Sequence, residues 1–241
     1  MRKLGERNRP KRIHPFVATP AYDGKVDYYF AQSLAEAAFT CPLYQVYFSS
    51  CVMGNGAFIE LARNIFVKKF LEDDDLKECS HLFFIDSDIK FEARAFVGLV
   101  SSGLPICAGA YRKRQDPEEY PLKWIENPEM GGLWIDDGWL MCERVATGFL
   151  CISRKVVEEM AADAMQVEIH GQRGPVPWLF YTKHDEKNRF VGEDFSFCDD
   201  YIKKYDQPIP VWMDFDFTHG GYKCNFHNYL KKKVEEQKEA A

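Results

Sequence analysis

The stretch His81-Leu-Phe-Phe-Ile-Asp-Ser-Asp-Ile89 decides how the rest of the chain is read. Leu82–Ile85 is an apolar run of the length of a buried strand. It stops at two carboxylates, Asp86 and Asp88, with only Ser87 between them. A buried carboxylate is costly unless it is paired or hydrogen-bonded. Two at the end of a buried strand need a cation or a strong hydrogen-bond network. That carboxyl edge is also where open α/β sheets bind ligands. Hard oxygen ligands suit Mg²⁺ or Mn²⁺, ions that commonly complete their shell with phosphate oxygens. The segment therefore points to a metal–diphosphate site. The competing reading is a helix N-cap before Phe91–Val100, since Asp and Ser cap helices well.

The surrounding sequence predicts alternating strands and helices. Pro15–Ala18 reads as a strand, closed by Thr19-Pro20 and the turn Asp23-Gly24. Tyr28–Phe39 reads as a helix, with Phe30, Leu34, Ala37 and Ala38 as its apolar side. Tyr44–Phe48 is strand-like, Met53–Gly56 a loop, and Phe58–Leu71 a helix with Ile59, Ala62, Ile65, Phe66 and Phe70 on one side. After Leu82–Ile85 come a helix Ala93–Val100 and a strand Ile106–Ala110. This βα alternation predicts a largely parallel sheet with helices on both faces. Gln115–Trp139 and Gln166–Arg189 are irregular and rich in Pro and Gly. Between them stand a strand Val145–Ile152 and a helix Arg154–Ala164; a helix Asp194–Lys204 and a strand Ile209–Met213 follow.

The 241 residues suffice for one large α/β domain. With 46% hydrophobic residues and 19 Phe the chain can bury a large core, which excludes a disordered protein. Neither repeat nor linker is visible, so the expected division is a basic arm at 1–13, one domain at 14–230 and a solvated tail at 231–241. The net charge of -6 gives no general reason for nucleic-acid binding. The arm is the exception: Arg2, Lys3, Arg7, Arg9, Lys11 and Arg12 face only Glu6. It reads as a solvated tail or as a contact for an anionic acceptor. Eight scattered cysteines without a Cys-x-x-Cys pair are expected to be reduced thiols. No segment has the apolar length of a membrane span, and no apolar signal core opens the chain. The expectation is a soluble cytoplasmic protein, a phage or virus protein in its host's cytoplasm included.

Three further patterns carry chemistry. Val145-Ala-Thr-Gly-Phe-Leu-Cys-Ile-Ser-Arg154 has Thr147-Gly148 inside a strand-like run. Gly192-Glu-Asp-Phe-Ser-Phe-Cys198 sets a second acidic pair, Glu193 and Asp194, at a helix start. Val211-Trp-Met-Asp214 precedes His219-Gly-Gly221. With Val17-Ala-Thr-Pro-Ala-Tyr22 and the Asp86-Ser-Asp88 segment, this series resembles nucleotide-sugar-dependent glycosyltransferases of the GT-A fold, in particular the small phage- and virus-type members. The resemblance runs over roughly residues 14 to 225, and the order of the motifs is more specific than any one of them.

The resemblance implies an α/β fold: a single GT-A-like, Rossmann-like domain with a mixed, mostly parallel central sheet flanked by helices. It also implies a metal-dependent sugar transfer from a nucleotide diphosphate sugar, a UDP-sugar by preference, to a hydroxyl acceptor. A glycan and a hydroxylated base in modified phage DNA are both open as acceptors. Asp88 would bind Mn²⁺ or Mg²⁺, with Asp86 on the ribose or on a metal-bound water, and His219 would be a further metal ligand. Ser87 would lie against the donor. Thr19, Pro20 and Tyr22 would flank the base, and Arg63 in Ala62-Arg-Asn64 would touch base or phosphate. Asp194 would take the acceptor proton in an inverting transfer, with Glu193 on sugar hydroxyls or as the base instead. Competing readings attach to each position. Asp194 could cap a helix, Arg63 could be a surface charge, and His219 a loop histidine. Arg112-Lys-Arg114 reads as a diphosphate or acceptor contact or as an exposed basic turn. Trp124, Trp134, Trp139 and Trp178 could stack on sugars or belong to the core. Two other functions compete as well. One is a haloacid-dehalogenase-like phosphohydrolase, in which Asp86 would attack phosphorus; its motif normally opens the domain, whereas three βα-like segments precede it here. The other is a catalytically silent sugar- or nucleotide-binding module.

Overall fold

Leu82–Ile85 lies in the interior of a nine-stranded sheet, and all four residues are fully buried. The structure, a computed structural model, describes residues 12–54, 58–127, 129 and 131–239. The arm at 1–13 falls outside these residues except for Arg12 and Ile13, as do Asn55, Gly56 and the last two residues of the tail.

In chain order the elements are β1 (Pro15–Ala21), α1 (Tyr28–Thr40), β2 (Ser49–Gly54), α2 (Ile59–Glu72), β3 (His81–Ile85), β4 (Ile89–Lys90), α3 (Ala93–Ser101) and β5 (Ile106–Gly109). Then follow β6 (Leu122–Trp124), β7 (Ile135–Asp136), β8 (Trp139–Val145), β9 (Phe149–Ser153), α4 (Arg154–Asp163), β10 (Gln166–Val167), β11 (Val176–Pro177), β12 (Lys183–His184) and β13 (Phe190–Val191). The chain continues through α5 (Glu193–Tyr205), β14 (Ile209–Trp212), β15 (Thr218–His219), β16 (Tyr222–Lys223) and α6 (Phe226–Glu239).

The main sheet has the order β2-β1-β3-β9-β5-β14-β8-β6, with β7 also on β8. β1 is parallel to β2 and β3, and β5 is parallel to β14. Only β9 and β8 run against the common direction. The fold is thus the mixed, mostly parallel α/β sheet flanked by helices that the βα alternation and the motif series imply. A second, three-stranded sheet, β16-β15-β4, forms beside the end of β3.

Aromatic side chains join the sheet to its helices. Phe16 contacts Phe66 and Phe70 of α2, and Phe83 contacts Phe96 of α3 at 4.9 Å. Phe84 meets Phe180 edge-on at 5.3 Å, and Phe180 stacks on Phe197 of α5 at 4.6 Å. Each ring is fully buried, which stabilises by about 1.5–3 kcal/mol apiece. The eight cysteines are free thiols, and all but Cys51 are buried.

Four local expectations are corrected. Tyr44–Phe48 is not a strand. Pro42 starts a 3-10 turn over Cys41–Tyr44, Gln45 is left-handed (φ 58°), and the strand begins only at Ser49. Met53 and Gly54 consequently end β2 and do not open a loop. Val145–Ile152 is two strands, because β9 inserts between β3 and β5 while β8 lies beyond β14. On α2 the buried side is rotated from the expected one: Ile59 is exposed, and Arg63, Asn64 and Val67 are buried. α6 runs through residue 230, and its Phe226 and Leu230 are buried.

Candidate active site

The site is assembled at the end of β3. Ile85 is the last strand residue, and the chain turns through Asp86-Ser87-Asp88, with the Ile89 amide on the Asp86 carbonyl at 3.2 Å. β4 then pairs with β15, placing His219 opposite Ile89. The ladder is extended by the Gly220 amide, which donates to the Asp88 carbonyl at 2.9 Å. Gly220 and Gly221 take φ of +52° and +87° and close the β15–β16 hairpin. Two successive positive φ values define the tight turn that favours glycine. Main-chain pairing thus carries His219 to Asp88 across more than a hundred residues.

Asp88 Oδ2 lies 3.4 Å from His219 Nε2 and 2.9 Å from Arg114 Nη1. His219 Nδ1 is 2.7 Å from the Arg112 carbonyl. A carbonyl only accepts, so Nδ1 carries the proton. In the neutral ring, Nε2 then presents a lone pair toward the Asp88 carboxylate. Two electron-rich atoms face each other there, and a proton or a cation between them relieves the repulsion. Burial draws the His219 pKa down, but the Asp88 contact and the Arg112 carbonyl outweigh it and the net shift is upward. Burial raises the Asp88 pKa; His219 and then Arg114 outweigh it, so the net shift is downward. The Arg114 side chain is 59% exposed, so its ion pair is worth little and can open readily.

These donors fit a divalent ion as a pair. Neighbouring ligands of an octahedral shell with ~2.1 Å bonds stand about 3 Å apart, close to the Asp88–His219 spacing. An Nδ1–H held by a carbonyl is the usual support of a metal-binding imidazole. Among the described residues, however, no three His, Cys, Asp or Glu side chains converge to hold a metal by themselves. Asp86 is directed elsewhere: its Oδ1 is 3.2 Å from Arg63 Nη2.

Arg63 joins the two acidic pairs. It is buried on α2, with Nε 3.4 Å from Glu193 Oε1 and Nη1 on the Thr147 carbonyl at 3.5 Å. The Phe84 ring lies 5.4 Å beneath its guanidinium carbon. Its neighbour Asn64 accepts from the Leu179 and Phe180 amides and donates to the Phe180 carbonyl at 2.7–2.9 Å. Asn64 thereby fixes Phe180, Phe180 packs on Phe197, and the start of α5 is held.

Asp194 stands at that start. Gly192, not Asp194, is the N-cap of α5. Asp194 Oδ1 accepts from the Phe195 amide at 2.7 Å. Burial, then the negative charge of Glu193, push its pKa up to about 6. Asp86 is raised too, by burial first and then by Asp88, with Arg63 opposing.

Sequence reasoning missed Tyr111. It follows β5 at the ligand edge and is buried, with its ring edge-on to His219 at 5.0 Å. Its oxygen accepts from the Gly148 amide at 2.9 Å. The Gly148 carbonyl in turn accepts from Asp86 N at 2.9 Å. A Cβ at Gly148 would stand 2.4 Å from Tyr111 Oη and 2.6 Å from Asp86 Oδ2, so only glycine fits. The one signal in the sequence was position, just before the basic run. Of that run, Arg112 is buried on Asp116, Lys113 pairs with Glu119, and Arg114 alone reaches the acidic residues.

The residues expected on the donor side are placed as follows. Ala18 is opposite Phe84, so the end of β1 lies level with Ser87. Thr19 and Pro20 are buried within β1, and Tyr22 stands 78% exposed just past it. The Ser87 carbonyl holds the Asp27 amide ahead of α1 at 2.9 Å. Trp139 belongs to the core, against Trp212 at 4.9 Å; Trp124, Trp134 and Trp178 are half-buried. A cavity of about 600 Å³ between α4, α5 and Trp178–Tyr181 shares no residue with the acidic cluster. Converging charges, and not that cavity, mark the candidate site.

No protein family matches the chain, and no curated protein matches it. Among solved structures it is similar to A197 from STIV, at 14% identity over 86% of this chain and 85% of that one, with a TM-score of 0.49. It is similar to a glycosyltransferase involved in the glycosylation of the major capsid of PBCV-1, at 10% identity over 61% and 63% of the two chains, TM-score 0.30. It is also similar to a UDP-glucose pyrophosphorylase complexed with UDP-glucose, at 10% identity over 94% and 99%, TM-score 0.45. None of these TM-scores reaches 0.5. No helix among the described residues is long and apolar enough to cross a membrane.

Proposed function

We propose that this protein is a metal-dependent glycosyltransferase that moves a sugar from a nucleotide diphosphate sugar, a UDP-sugar by preference, to a hydroxyl acceptor with inversion. One observation carries the reading. Two acidic pairs far apart in sequence meet in one cluster, one facing His219 and the other holding a carboxyl that burial pushes up to about 6. Asp88 and His219 would hold Mn²⁺ or Mg²⁺, with the donor's phosphate oxygens and water as the remaining ligands. When bound, the ion supplies Lewis-acid neutralisation of the leaving diphosphate. Asp86, fixed by Arg63, lines the donor side, and Ser87 and the exposed Tyr22 lie at the same edge. Asp194 takes the acceptor hydroxyl proton as its oxygen bonds to the anomeric carbon. The bond from that carbon to the diphosphate breaks, and the electron pair leaves with the diphosphate. A carboxylate with a pKa near 6 is largely ionised at pH 7 yet basic enough for this task. The phosphohydrolase alternative needs a free Asp86 nucleophile, and Asp86 is engaged by Arg63.

The test is transfer and nucleotide release from a panel of nucleotide sugars, with Mn²⁺ or EDTA. EDTA should abolish turnover and Mn²⁺ should restore it. Asp88→Ala should remove Mn²⁺-dependent UDP binding and leave the fold intact. Full turnover in EDTA, or phosphomonoester cleavage in place of nucleotide release, would overturn the reading.

A further inference from the structure

We infer that Arg63 is a positioning residue that locks the strand-end carboxylate Asp86 to the helix-start carboxylate Glu193 and touches neither substrate. The inference rests on the transferase reading and deepens it. It departs from the sequence-based expectation that Arg63 contacts base or phosphate. The Arg63 side chain is only 4% exposed and has almost no surface to offer a nucleotide. Nη2 donates to Asp86 at 3.2 Å and Nη1 to the Thr147 carbonyl at 3.5 Å, while Nε, which has no hydrogen-bond partner, stands within ion-pair range of Glu193 at 3.4 Å. These three residues belong to the end of β3, the β8–β9 crossing and the start of α5. The guanidinium fork can reach several acceptors in fixed directions, which a lysine ammonium on one point cannot reproduce. Phe84 supports it from below, and Asn64 on the same turn of α2 ties down the segment that packs on α5. One buried cation thus spans the donor side and the base side of the cluster.

The burial also has an electrostatic reason. Asp86, Glu193 and Asp194 bring three carboxyl groups together, and Arg63 is the cation buried among them. The groups facing Asp194 are Glu193 and Cys198 on its own helix, Arg63 from α2, Asp86 just past β3 and Tyr111 just past β5. Arg63 favours the ionised form of Asp194, and the carboxylates oppose it.

Arg63→Lys and Arg63→Met test the inference, with melting curves to establish folding. Three measurements are needed: UDP affinity with Mn²⁺, the carboxyl titration of Asp194 by ¹³C NMR, and kcat with KM for the donor. Arg63→Lys, which keeps a cation beside Asp86, should bind UDP as the parent does. Arg63→Lys should lose about 10²-fold in kcat, the order expected when reacting groups are misplaced by an ångström. In Arg63→Met the Asp194 titration should move to higher pH. If Arg63→Met does not fold, Arg63→Lys decides alone. A loss of UDP affinity with kcat preserved would make Arg63 a nucleotide contact and overturn the inference. So would a parent-like kcat with an unmoved Asp194 titration. UDP binding and the titration need no sugar transfer, so they decide the role of Arg63 even if the transferase assay fails.

Discussion

Replacing Asp194 by Asn should make the protein more stable and inactive at once, and the gain should depend on pH. The carboxyl titrates near 6 in the folded chain against 3.8 for the ordinary group. Between those values the folded state holds a proton that the unfolded state has released. The parent therefore loses stability as pH rises from about 4 to about 6, and above that the full penalty remains. The gap corresponds to about 3 kcal/mol at neutral pH. Asn carries no charge, so it escapes the penalty, and its Oδ1 can still accept from the Phe195 amide. For a chain of this size the midpoint should rise by roughly 6–12 °C at pH 7–8. The difference should shrink to under about 1 kcal/mol near pH 4 and vanish only below about pH 3, where the parent carboxyl is protonated in both states. Thermal melts from pH 4 to pH 8 measure this directly. Transfer should fall by about 10²–10⁴-fold, because the amide cannot take a proton. In the parent, kcat should rise with pH to a plateau, with its half-point near 6. A gain equal at pH 4 and pH 8, or none at either, would refute a carboxyl held in reserve at this helix start.

Gly148→Ala should cost about 1–3 kcal/mol and eliminate turnover, since its methyl would collide with Tyr111 and Asp86; melts and nucleotide release check the two in turn. Asn64→Ala strands two amides and a carbonyl under the Leu179–Phe180 segment. At about 1–3 kcal/mol for each, the midpoint should fall by at least roughly 6 °C in a melt. His219→Ala should raise the Mn²⁺ concentration for half-maximal turnover by at least about tenfold, with saturating Mn²⁺ restoring part of the rate.

Some of this was legible in the chain and some was not, for physical reasons. The strand His81–Ile85 was readable because an uninterrupted apolar run has few other places to go. Its two terminal carboxylates were readable because charge after such a run demands compensation. α3 and α5 were readable from their helical periodicity. The burial of Arg63 was not, because an arginine on a helix is ordinarily a surface charge. Its partners Asp86 and Glu193 lie 23 and 130 residues away. Tyr44–Phe48 misled because β-favouring side chains do not outweigh a proline-started turn. Val145–Ile152 misled because alternation tells that a segment is extended and not which strands it joins.

The place of β9 has a consequence for how the chain reaches this state. β3 and β5 are not neighbours; β9, made from residues 149–153, separates them. A growing chain therefore completes β1, β2, β3 and β5 with the middle of the sheet still open. The halves can join only after some forty further residues have emerged, and α5 and His219 come later still. Contacts of such long range slow folding and leave strand edges exposed meanwhile. Until the gap closes, Phe83, Phe84, Cys107 and Ala108 offer unpaired backbone to any passing strand. The protein should accordingly depend on chaperone shelter during synthesis more than a sheet built in sequence order would, and its acidic cluster is finished among the last of its parts.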